Sequence, residues 1–127
     1  TKDFSAYLTI PKAIDWLKEN EWQKRTDQSK ELLLEYYPIL SKLLNSNMLC
    51  PLSNEFLGQI CSIPIKSSDP YKMKGYLFDK HKIEIPIMPV GDQWYIRTSY
   101  QAYNREKEIE HLLDAIKSLK KKTNLLN

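Results

Sequence analysis

Apolar residues recur at two different periods along the chain, and the change of period divides it. Tyr7, Ile10, Ile14 and Leu17 form an i, i+3, i+7, i+10 stripe with Ala13 beside it. This predicts an amphipathic helix from a cap at Ser5 to about Asn20. Pro11 lies inside the pattern, so it either sits in the first turn or delays the helix start. Asn20 to Trp22 reads as a corner. Leu33, Tyr36/Tyr37, Leu40 and Leu43/Leu44 carry the face of a longer helix from about Gln23 to Leu44, which Pro38 should kink and Asn45-Ser46-Asn47 should end.

From Phe56 the period shortens. Phe56 to Ile65 reads as a strand whose Pro64 confines part of it to an edge or an end. Ser67-Ser68-Asp69-Pro70 supplies a cap followed by a first-turn proline, so a short helix runs to about His81 with Met73, Tyr76 and Leu77 inward. Ile83 to Val90 is a second strand, Gly91-Asp92 turns the chain, and Trp94 to Tyr100 pairs back as a third. Asn104 caps a last helix from Arg105 to about Lys120, striped by Ile109, Leu112/Leu113, Ile116 and Leu119. The order α-α-β-α-β-β-α predicts an α+β fold: a small, mostly antiparallel sheet covered on one face by helices.

Composition narrows the function classes. A chain of 127 residues, 42% hydrophobic and 28% charged, suits one soluble globular domain rather than disorder. Three glycines leave no place for a glycine-rich phosphate cradle. A net charge of +3 does not argue for nucleic acid; Lys120-Lys121-Lys122 reads as a solvated helix end that complements the helix dipole. The spacing of Cys50 and Cys61 matches neither a zinc knuckle nor a redox motif. No run reaches the roughly 18 apolar residues of a membrane span, and no signal peptide is visible. The expected compartment is the cytoplasm, with both thiols reduced.

No complete catalytic set emerges, and no metal set. His81 and His111 sit at polar helix positions where a solvated or capping role is expected, and Glu106, Glu108 and Glu110 fit a helix start. Cys61, inside an apolar strand, reads as a buried inert thiol. Arg97 differs. Strand alternation puts Tyr95, Arg97 and Ser99 on one face and Trp94, Ile96, Thr98 and Tyr100 on the core face. Two readings fit it: a residue on an exposed sheet face, or a bidentate hook for a carboxylate or phosphate.

Arg97-x-Ser99-x-x-x-Tyr103-Asn104, followed by an acidic amphipathic helix, resembles the C-terminal end of class V aminotransferase-fold enzymes. These are fold-type I, pyridoxal-phosphate-dependent enzymes that include cysteine desulfurases and isopenicillin N epimerase-like proteins. Ile83-Glu84-Ile85-Pro86-Ile87 resembles the strand before that motif, and Phe56 to Ile60 with Ile63-Pro64-Ile65 resembles the first strand of the family's small domain. Thr1 to Leu8 resembles a segment near the end of the large domain, from which Lys2 and Phe4 depart. The resemblance implies that residues 1–48 are a helical tail and connection from a large domain missing here, and that residues 49–127 are the small domain. It implies that Arg97 binds the substrate α-carboxylate of an amino acid, and that Thr1 reaches the pyridoxal 5'-phosphate phosphate group across a homodimer interface. The Schiff-base lysine would lie upstream, so the chain would carry no catalytic residue and be inactive alone. The rival expectation is an unrelated small α+β binding or assembly module that happens to present Arg97.

Overall fold

In the computed structural model, which describes residues 3–126, three strands form one antiparallel sheet in the order β1-β3-β2, with β1 at Ile60–Ile65, β2 at Ile87–Val90 and β3 at Gln93–Ser99. The helices are α1 (Ser5–Leu8), α2 (Ile10–Glu19), α3 (Trp22–Leu43), α4 (Pro70–His81) and α5 (Glu106–Lys122). The α+β class and the covered antiparallel sheet are as the sequence indicates. The expected first helix is two pieces, α1 and α2, parted at Thr9. Pro11 lies in the first turn of α2, where its missing N–H costs nothing. Pro38 lies inside α3, which is continuous from Trp22 to Leu43.

The prolines also set where strands begin and end. The N–H of Arg97 donates to Pro86 O at 3.0 Å, toward β2, and the N–H of Tyr100 donates to Gln59 O at 2.8 Å, toward β1. Odd residues of β3 therefore turn their peptide groups to β2 and even residues to β1. Pro86 accepts from Arg97 but has no N–H to give back. The ladder stops there, and β2 starts at Ile87 rather than at the expected Ile83. Pro64 faces Tyr95 and Pro89 faces Trp94. By the same parity both nitrogens point away from β3, so each outer strand carries a proline where no ladder donor is required.

Cys61, Ile63 and Ile65 of β1, Ile96 of β3 and Ile87 of β2 point to one face and are buried. They meet Leu33, Tyr37 and Leu40 of α3, Met73 and Leu77 of α4, and Leu112, Ile116 and Leu119 of α5. The helical stripes of α3, α4 and α5 thus lie where their periodicity puts them. The stripe of α1 and α2 does not find cover: Tyr7 is 66% exposed and Ile14 46%. Trp16 and Trp22 pack on each other across the corner, with ring centroids 5.4 Å apart, and Glu21 makes that corner in the left-handed region at φ 49°.

Two polar contacts hold the irregular parts. The buried Tyr37 hydroxyl donates to Ser62 O at 3.3 Å and accepts the Leu49 N–H at 3.1 Å, tying α3, the loop before β1 and the outer edge of β1 together. At α4, Asp69 Oδ1 accepts the Lys72 N–H at 3.0 Å. That bond holds the Asp69 carboxyl below the usual carboxylate range, with further help from the Lys72 side chain. Gly91, at φ 57°, takes the first position of the two-residue hairpin turn that the sequence marks.

Tyr37→Phe should lower stability by about 1–2 kcal/mol, since it strands a backbone donor and an acceptor together, and urea unfolding monitored by circular dichroism measures the loss. The Asp69 cap should be pH-dependent. A lowered folded pKa adds stability above the ordinary value of 3.8 and loses it as pH falls through that value and below. Asp69→Asn, which caps without titrating, should melt lower than the parent at pH 7, and the gap should close toward pH 3; a gap that stays constant contradicts the capping role.

Candidate functional site

β3 is the central strand, so its residues are fixed from both sides. The face of the sheet turned away from the helices carries Ile60, Ser62 and Pro64 from β1, Tyr95, Arg97 and Ser99 from β3, and Met88 from β2. Arg97 stands mid-strand there, directly opposite Ser62. It is exposed, and among the described residues its guanidinium has no hydrogen bond and no ion pair. The alternation read from sequence is what the structure shows: Ile96 and Tyr100 are buried while Arg97 and Ser99 are exposed.

The motif after Arg97 is local scaffolding. Ser99 Oγ accepts Gln101 Nε2 at 3.3 Å. Asn104 Oδ1 accepts the Gln101 N–H at 2.9 Å, and its Nδ2 donates to Glu108 Oε2 at 2.6 Å. The same carboxylate oxygen accepts the Arg105 N–H at 3.4 Å. The cap of α5 is therefore Arg105, one residue past the expected Asn104, because Glu108 reaches back over the first turn and Asn104 braces it from outside the helix. Tyr103 is exposed.

Behind β3, on the helix side, a cleft of about 240 Å³ lies between α3, α5 and the Ile83–Pro86 run. Its walls are mostly apolar, including Leu33, Ile85, Ile109 and Leu112, with Glu84 and Glu108 among the lining residues. Tyr36 of α3 donates to Glu106 Oε1 of α5 at 2.7 Å, and that bond, with the neighbouring glutamates, pushes the phenol up to about 12. Sequence reading counted Tyr36 as part of an apolar stripe; its hydroxyl partner lies 70 residues away, so periodicity carried no sign of it.

The remaining candidates take structural roles. Burial pushes the Cys61 thiol up, and its Sγ lies 2.9 Å from Thr98 Oγ1. His111 Nε2 lies 2.8 Å from His81 O, so it donates to a carbonyl at the end of α4, and the cap at that end comes from α5 rather than from the His81 ring. Lys120 Nζ donates to Leu43 O at 2.9 Å, at the end of α3. Among the described residues no cluster of three metal-ligating side chains occurs, and no helix is long and apolar enough to cross a membrane. Thr1 lies outside the described residues.

The strand residues of the open face suit an anion, with one unpaired guanidinium, two serine hydroxyls and no carboxylate, although Arg97 and Ser99 also border the cleft that Glu84 and Glu108 line. They offer no lysine to anchor pyridoxal phosphate and no acidic side chain for its ring nitrogen. These residues suit an anion and do not supply the cofactor's own anchors.

No family model matches the chain. It is 31% identical to a probable L-cysteine desulfhydrase, chloroplastic, of Arabidopsis thaliana over 137 aligned positions, which span 94% of this chain and 28% of that protein. It is 25% identical to the isopenicillin N epimerase of Amycolatopsis lactamdurans, over 95% of this chain and 31% of that protein. In fold it is similar to 8-amino-7-oxononanoate synthase of Francisella tularensis, with a TM-score of 0.60, 22% identity, 86% of this chain covered and 31% of that one. The chain thus spans less than a third of the proteins it matches. Over nearly its whole length, this chain is similar to the class V, fold-type I pyridoxal-phosphate enzymes that its motifs resemble.

Proposed function

We propose that the chain is the C-terminal, substrate-orienting portion of a pyridoxal-phosphate-dependent enzyme acting on an amino acid, and that Arg97 binds the substrate α-carboxylate. The observation that carries this is an arginine without a partner among the described residues, mid-strand on an uncovered sheet face. A guanidinium meets a carboxylate through two parallel hydrogen bonds, which fixes direction as well as distance. A cation mounted on a central strand holds the amino acid in one orientation, so the bond to be broken at Cα is set before any chemistry begins. When bound in the whole protein, the cofactor supplies the electron sink. This chain's own contribution is to bind and orient; it moves no proton and carries no nucleophile, and alone it is inactive.

The same reading divides the chain at 48/49. Residues 1–48 form the tail and connection of a large domain, and residues 49–127 form the small domain. The uncovered stripe of Tyr7, Ile10, Ile14 and Leu17 supports this, because an apolar face of that length asks for a partner surface. In the full-length protein we place a homodimer, Thr1 near the cofactor phosphate, and a reducing, cytoplasmic compartment in keeping with two free cysteines. The name of the desulfhydrase relative makes L-cysteine the first substrate to try.

In the full-length protein, Arg97→Lys should raise KM for L-cysteine by about tenfold or more, since an ammonium cannot reproduce the planar fork. Steady-state kinetics decide it, and an unchanged KM removes Arg97 from the site.

A further inference from the structure

We propose that Ser62 is a second binding residue for the substrate carboxylate, its hydroxyl completing the clamp that Arg97 begins; this rests on the reading of Arg97 given above. Ser62 is the register partner of Arg97 across β1 and β3. Because the Arg97 N–H turns to Pro86 on the far side, the two residues form a non-hydrogen-bonded pair. That is the closer of the two cross-strand spacings, with Cβ atoms about 4.5–5.5 Å apart. Ser62 is half-buried on the open face, while its neighbours Cys61 and Ile63 are buried on the core face.

Its backbone is held and its side chain is not engaged. Ser62 O accepts the Tyr37 hydroxyl at 3.3 Å, and that hydroxyl also receives the Leu49 N–H at 3.1 Å, so the edge strand is fastened to α3 at this residue. Among the described residues the Ser62 hydroxyl has no side-chain hydrogen bond. A small donor on a pinned backbone beside an unpaired guanidinium is preorganised for the same anion. An arginine fork occupies one lone pair on each carboxylate oxygen and leaves the others, and the Ser62 O–H donates to one of these. Tyr37 is then a positioning residue, since it fixes the strand from which Ser62 reaches.

Ser62→Thr and Ser62→Val test this in the full-length protein. Both side chains are β-branched and suit a strand, and they differ by one hydroxyl, so melting temperatures of the two variants should agree. The probe is 3-mercaptopropionate, which has the carboxylate but no amine, titrated by calorimetry alongside KM for L-cysteine. Ser62→Val should weaken probe binding and raise KM by about tenfold with kcat nearly unchanged, and Ser62→Thr should stay within about threefold of the parent, as one hydrogen bond to a charged group requires. If Val and Thr bind the probe alike while Arg97→Lys binds it weakly, the role of Ser62 is overturned and that of Arg97 stands. If Arg97→Lys also binds normally, both fall.

Discussion

β3 hydrogen-bonds to β1 on one side and to β2 on the other, and this double pairing leaves each of its side chains a single choice of face. Ile96 goes fully into the core, and Arg97 one step later goes to the open side. A slip of one residue would exchange them, burying a guanidinium among Ile63, Ile116 and Leu119 and exposing an isoleucine. The cost of an unpaired buried charge is far above that of any surface arrangement, so core packing and site geometry are decided by the same register. Arg97 is positioned by the hydrophobicity of its neighbours.

The boundaries of the sheet follow from three missing protons. Pro64 and Pro89 turn absent donors outward, so the outer strands lose nothing to the ladder and gain blunt edges that resist pairing with another chain. Pro86 faces the ladder instead and ends it. The Ile83–Pro86 run then leaves β3 to wall the cleft over α3 and α5, which brings the Arg97–Tyr100 end of β3 into the same wall.

Most of this was legible where one residue type forces one outcome. The 3.6-residue stripes gave α3, α4 and α5, period 2 gave the faces of β3, and Asp69-Pro70 and Gly91-Asp92 marked a helix start and a turn. What stayed hidden depends on direction or on distant partners. Pro86 reads the same in sequence whether its nitrogen faces a neighbour or solvent, so the pattern alone extends β2 back to Ile83 while the ladder begins at Ile87. The split at Thr9 and the shift of the α5 cap to Arg105 are choices between adjacent residues with similar local chemistry. Tyr37 looked like one more apolar position, yet its hydroxyl is the strut between Leu49 and Ser62.

Exposure alone does not separate the two readings of Arg97. A solvated surface arginine and a substrate hook awaiting a covering domain are equally open in this chain. What favours the proposed role is the makeup of the face around it. Side chains such as Lys72, Lys117 and Lys30 settle against carboxylates within one turn. Arg97 stands on a face whose other strand side chains are hydroxyls, a phenol, the Gln93 amide and apolar groups, with no acid among them. A sheet that needed charge only for solubility could place a glutamate across from it, since opposite charges on facing strands are mildly stabilising. The position across from it is a serine, so that among the described residues no side chain pairs with the guanidinium, as the proposed carboxylate role asks.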